Sequence, residues 1–126
     1  MDKKYKILIV DDDKFLLDMY TLKFKEKGFE VDSAFGSIKA LEKLKEDSNF
    51  DVVVMDVVMP SMDGFELLSE IKKEKLAPNA KMVILSNLGQ SSDIEKGKKL
   101  GADGYIVKAD STPSEVVSKV IDLLDK

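Results

Sequence analysis

Two uninterrupted apolar runs, Lys6-Ile7-Leu8-Ile9-Val10 and Asp51-Val52-Val53-Val54-Met55, constrain this chain more than any other feature. A strand that is apolar at every position must be covered on both faces, which is the situation of a strand inside a parallel sheet. Lys81-Met82-Val83-Ile84-Leu85 is a third run of this kind. Residues 29–34 alternate polar and apolar as an edge strand does, and the mixed segment 103–108 suits the opposite edge.

Helical patterns fill the intervals. Leu16, Met19, Tyr20 and Phe24 share one face after Asp13, which stands where an N-cap belongs. Ile38, Leu41 and Leu44 do so after Gly36-Ser37, and a third stripe includes Phe65, Leu68 and Ile71. Asp63 and Glu66 have capping-box spacing before that stripe, and Ser92 with Glu95 repeats it. Thr112-Pro113-Ser114-Glu115 joins an N-cap, a proline at the first helical position and an acid in the first turn. Val116, Val117, Val120, Ile121 and Leu124 follow as a wide apolar face, mostly core. The weakest helix is 93–100, which has Gly97, three lysines and only Ile94 and Leu100 to bury, and which Gly101 ends. Five βα units with right-handed crossovers predict an α/β fold. Its five-stranded parallel sheet has the flavodoxin-like order 2-1-3-4-5 and helices on both faces.

Composition excludes several kinds of chemistry. The 126 residues, 44% hydrophobic and 35% charged, suit a single domain over 1–126 with one ordinary core. With neither cysteine nor histidine, the chain forms no disulfide, no thiolate metal site, no histidine triad and no phosphohistidine of its own. A net charge of −4 argues against direct nucleic-acid binding. No apolar run approaches the roughly 20 residues of a membrane span, and Met1–Lys6 leads into a run too brief for a signal peptide, so a cytoplasmic protein is expected.

In such a sheet ligands bind at the carboxyl ends of the strands. The first strand runs into Asp11-Asp12-Asp13, the third into Asp56, the fourth into Ser86-Asn87 and the fifth into Lys108. Asp11, Asp12 and Asp56 would stand close together, as a divalent-cation site or as an electrostatic liability; hard carboxylate oxygens suit Mg²⁺. Asp13 is assigned to helix capping. Ser86 taken alone could cap the next helix or face water, and Lys108 taken alone could snorkel to solvent. Together they form a coherent set. A carboxylate is a competent phosphoryl acceptor, and an ammonium and a cation neutralise charge on the transferring group.

At these residues the sequence resembles the receiver domain of bacterial two-component response regulators, in particular the stand-alone, chemotaxis-regulator-like members. The matching motifs are Ile9-Val10-Asp11-Asp12-Asp13, Met55-Asp56-Val57-Val58-Met59-Pro60-Ser61-Met62-Asp63-Gly64, Val83-Ile84-Leu85-Ser86, Gly101-Ala102-Asp103-Gly104-Tyr105 and Lys108, spread from Ile7 to Leu124. The resemblance implies that Asp56 is the phosphoacceptor and that Asp12, Asp56 and the backbone carbonyl of Val58 ligate Mg²⁺, with Asp11 holding it through water. It implies that Lys108 pairs with the phosphoryl group, that Ser86 is the switch hydroxyl and that Tyr105 changes rotamer with it. The donor would be a sensor histidine kinase or phosphotransfer protein. Output would pass to a downstream effector protein, with the last strand and helix as a docking or homodimer surface. The chain would be a switch and not an enzyme.

Three positions depart from the family pattern. Ala109 stands where a proline usually follows the lysine, and a trans Lys108–Ala109 bond is expected because a cis bond before alanine costs about 2.5–4 kcal/mol. Asn87 is larger than the usual residue after the switch hydroxyl and bears on phosphodonor access or on contact with the phosphoryl group. Val58 and Leu88, at positions that tune dephosphorylation, are apolar and cannot orient an attacking water, so a long-lived phosphoryl group is expected. Two other functions compete. Asn87 and Ala109 are the support for a phosphorylation-independent interaction module. A phosphohydrolase with Asp56 as nucleophile would want an acid where Val58 stands.

Overall fold

The computed structural model describes residues 4–125. Five strands, β1 (Lys6–Asp11), β2 (Glu30–Phe35), β3 (Val52–Met55), β4 (Lys81–Ser86) and β5 (Gly104–Val107), alternate with five helices. These are α1 (Lys14–Glu26), α2 (Ser37–Glu46), α3 (Gly64–Glu74), α4 (Ser91–Lys99) and α5 (Pro113–Leu124), with a 3₁₀ turn at Lys108–Asp110. All neighbouring strands are parallel in the order β2-β1-β3-β4-β5. The expected architecture is therefore present.

The period of two in the central strands divides the core. Leu8, Val10, Val53, Met55, Met82 and Ile84 face a cluster with Ala40, Leu44, Leu67, Leu68 and Ile71 of α2 and α3. Their neighbours Ile7, Ile9, Val52, Val54, Val83 and Leu85 face Leu17, Tyr20 and Phe24 of α1 and Val116, Val117 and Val120 of α5. A one-residue slip would exchange the two sets of side chains. The register Val10↔Met55, Met55↔Ile84 and Ser86↔Val107 brings the carboxyl ends of the strands to one rim.

The caps follow the sequence closely. The Asp13 carboxylate accepts the Leu16 N–H, Asp63 and Glu66 form a capping box, and Thr112 and Glu115 form another behind Pro113. The α4 cap differs from expectation. The box is Gln90 with Asp93, so the helix starts at Ser91 and Ser92 lies inside it. Gln90 is a rarer N-cap than serine, so its spacing to Asp93 did not stand out. Gly101 ends α4 at φ +100°, a conformation in which a side chain would be strained.

Two further expectations are corrected. Ile38 is 52% exposed, because α2 turns Ser37, Ala40 and Leu44 inward. The second strand runs to Phe35, leaving that ring 56% exposed, while Phe29 lies before it, edge-on to Phe24. In α5, Val116, Val117 and Val120 are buried and Ile121 and Leu124 are half-buried, so part of its wide face stays open.

Acids at the opposite rim have another use. Asp51 Oδ2 accepts the Lys6 N–H and Asp103 Oδ2 accepts the Met82 N–H, each at 2.8 Å. They accept from backbone amides near the amino ends of β1 and β4.

Candidate functional site

Asp11 is the last residue of β1, Asp12 follows it, and Asp56 follows β3 with its N–H donating to the Val10 carbonyl at 3.1 Å. One carboxylate oxygen from each of the three lies within 4.8 Å of the others. Lys108, first residue of the turn after β5, places Nζ 2.9 Å from Oδ2 of Asp11 and 2.9 Å from Oδ2 of Asp56. The lysine side chain is 9% exposed. It does not snorkel to solvent.

The other carboxylate oxygens are held by backbone. The Val57 N–H donates to Asp56 Oδ1 at 2.6 Å, and the Asp13 N–H donates to Asp11 Oδ1 at 3.0 Å. Each acid thus has one oxygen on an amide and one on the ammonium, which fixes its rotamer. Burial pushes the Asp11 carboxyl above its ordinary value, and the Lys108 hydrogen bond offsets this only in part. Burial also pulls the Lys108 ammonium down, but the hydrogen bonds to Asp11 and Asp56 outweigh it and raise the lysine.

The loop behind Asp56 is tightly bound. Gly64 N–H donates to the Val57 carbonyl at 2.8 Å, and a Cβ on Gly64 would stand 2.0 Å from the Asp56 carbonyl oxygen. Only glycine lets α3 approach this closely. Ser61 has φ +70°, and the Met62 N–H donates back to the Pro60 carbonyl at 2.8 Å, closing a three-residue turn of the strained γ kind. The buried Ser37 hydroxyl donates to the Met62 carbonyl at 2.7 Å and ties this turn to α2. The roles of Gly64 and Ser37 were not read from the sequence. A glycine directly after the capping Asp63, where helices gain nothing from it, is the signal that could have found the first.

Ser86 is fully buried at the end of β4, and its Oγ accepts the Leu88 N–H at 3.2 Å. Tyr105 is half-buried, and its hydroxyl donates to the Leu88 carbonyl. The two residues therefore hold the same loop residue by its two backbone groups. Asn87 is exposed, Leu88 is 36% exposed and Val58 63% exposed. The Lys108–Ala109 bond is trans, as expected from the alanine. All nine residues singled out in the sequence for the site lie at or beside the rim, and Asp11, Asp56 and Lys108 touch.

Residues 7–121 match the family described as the response regulator receiver domain. The chain belongs to that family. Chemotaxis protein CheY of Halobacterium salinarum is 38% identical over 120 residues, covering 94% of this chain and 96% of the relative. Regulatory protein VanRc of Enterococcus gallinarum is 35% identical over 115 residues, 91% of this chain but 48% of the relative, so this chain spans about half of it. Among solved structures, the receiver domain of Francisella response regulator 1452 superposes with a TM-score of 0.86 at 34% identity, covering 97% of this chain and 98% of the other. Receiver domains act as phosphorylation-dependent signalling switches, and the family binds Mg²⁺ through acidic residues. The donor set here fits such an ion: three convergent carboxylates supply hard, anionic oxygens, and one ammonium neutralises only part of their charge. Among the described residues, no helix is long and apolar enough to cross a membrane.

Proposed function

We propose that the chain, as a single receiver domain over 1–126, is a cytoplasmic switch that takes a phosphoryl group onto Asp56 from a phosphohistidine donor. The donor is a sensor histidine kinase or phosphotransfer protein, and the signal passes to an effector protein. The observation that carries this reading is Lys108 Nζ at 2.9 Å from both Asp11 and Asp56, beside a third carboxylate.

An Asp56 carboxylate oxygen attacks phosphorus. A P–O bond forms, the P–N bond of the donor breaks, and the nitrogen keeps the electron pair; the donor ring, protonated on its other nitrogen, leaves as neutral imidazole. Asp12, Asp56 and the Val58 carbonyl would hold Mg²⁺, with Asp11 acting through water; the ion supplies positive charge to the transferring oxygens. Lys108 is released from Asp56 as that carboxylate becomes an acyl phosphate, and its ammonium then meets phosphoryl oxygens. The Ser86 hydroxyl, now accepting from Leu88, turns to donate to one of those oxygens. Tyr105 shares the Leu88 backbone with it, so the loop between β4 and α4 answers to the new charge.

Phe15, Val58 and Leu88 are exposed apolar residues that follow the ends of β1, β3 and β4. They suit contact with an apolar part of the donor protein around Asp56, and exposed Asn87 governs access between them. The half-buried Ile121 and Leu124 leave the last strand and helix able to dock an effector or a second copy. The test is beryllofluoride binding followed by calorimetry. Mg²⁺-dependent binding that Asp56→Asn abolishes is expected. Absence of binding with an intact fold would favour the phosphorylation-independent interaction module.

A further inference from the structure

Gly97 is the buried residue of α4, a helix that otherwise shows polar or half-exposed side chains to the sheet. A methyl group there would meet Ile84 Cδ1 at 2.9 Å and the Tyr105 ring at 3.0 Å (Cδ2) and 3.3 Å (Cε2). The ring edge thus lies in the space that any other residue at 97 would fill. Its far end is pinned, because the Tyr105 hydroxyl donates to the Leu88 carbonyl. Leu88 in turn donates its N–H to the buried Ser86 hydroxyl.

A mid-helix glycine disfavours the helix that carries it. Here it sits where a side chain would press on the ring. We propose that Gly97 is a positioning residue for Tyr105. Its missing side chain forms the slot that lets the ring lie against α4, and through the Leu88 carbonyl this sets the loop that carries Ser86. Filling the slot drives the ring outward, frees Leu88 and weakens the arrangement that receives a phosphoryl group. This last consequence rests on the function proposed above; the placement of the ring does not.

The chain has three tyrosines and no tryptophan, so 3-fluorotyrosine labelling gives three fluorine signals. Tyr5 and Tyr20 pack on the opposite face of the sheet from Gly97 and serve as internal controls. Leucine is a good helix former and fills the slot. In Gly97→Leu the Tyr105 signal, assigned with Tyr105→Phe, moves toward its position in the unfolded chain, while the Tyr5 and Tyr20 signals stay. Gly97→Ala moves it less in the same direction, and this variant decides the matter if leucine unfolds the chain. Affinity for beryllofluoride with Mg²⁺ falls about five-fold or more in Gly97→Leu, and Gly97→Leu costs nothing further in a Tyr105→Phe background.

An unmoved Tyr105 signal overturns the proposal, as does an equal loss of affinity with and without the Tyr105 hydroxyl. Failure of the unsubstituted chain to bind beryllofluoride overturns the phosphoryl-switch reading instead, and the fluorine signal still decides whether Gly97 places the ring.

Discussion

The Lys108 ammonium stands 2.9 Å from Oδ2 of Asp56, and both side chains are almost enclosed, at 9% and 11% exposure. The same ammonium serves Asp11 at 2.9 Å, and Asp12 brings a third carboxylate oxygen within 4.8 Å of an oxygen of each of the other two acids. One positive charge against three negative charges leaves repulsion that folding must bear. Asp12→Ala is therefore expected to raise stability in Mg²⁺-free buffer by about 1 kcal/mol, read by urea unfolding. Mg²⁺ at about 10 mM should stabilise the wild type and leave Asp12→Ala unmoved. A destabilised Asp12→Ala, or one that responds to Mg²⁺ like the wild type, would contradict this arrangement.

The pH dependence has a definite sign. Burial raises the Asp11 carboxyl above its ordinary value of 3.8. Between that value and the raised one, the native chain holds a proton that the unfolded chain has lost. Native stability from this group is therefore present at low pH and falls as pH rises through the raised value. Asp11→Asn removes the effect, so its stability relative to the wild type should improve from about pH 4 to pH 7 without Mg²⁺. Urea unfolding at the two pH values checks this; a difference that stays flat or narrows would refute it.

Gly64→Ala puts a methyl carbon 2.0 Å from the Asp56 carbonyl oxygen. Backbone atoms cannot yield there as a side-chain tip can. The loss should exceed about 3 kcal/mol, although alanine favours a helix over glycine by about 1 kcal/mol. A change within about 0.5 kcal/mol in chemical denaturation would mean that α3 does not abut Asp56 in this way.

The lifetime of the phosphoryl group depends on what can orient water beside it. Val58 and Leu88 are exposed and apolar, so they offer no hydrogen bond to an attacking water. The purified phosphoprotein should keep its label for hours. Val58→Asn combined with Leu88→Gln should shorten that lifetime about ten-fold or more. A wild-type half-life of seconds would refute the assignment.

Much of this was readable from residue order. The uniform runs at 7–10 and 52–55 announced doubly covered strands, and the acids, hydroxyl and lysine at the strand ends announced the rim. Periodicity failed where few side chains are available to define a face. In α2 the small residues Ser37 and Ala40 are buried and Ile38 is exposed, so a stripe chosen by size points the wrong way. The backbone contacts of Gly64 and the ring slot at Gly97 depend on atoms distant in sequence. A glycine shows only that something is missing; what approaches it is decided by the fold. The tie from Ser37 to the turn at Ser61 is hidden for the same reason.

The central claim is that Asp56 accepts a phosphoryl group. Intact mass after incubation with Mg²⁺ and a small phosphodonor, for the wild type and for Asp56→Asn, tests it most directly. The wild type should gain the mass of one phosphoryl group and Asp56→Asn none. A folded wild type that gains none, even when given a phosphorylated histidine kinase as donor, or an Asp56→Asn variant that gains as much, would contradict it.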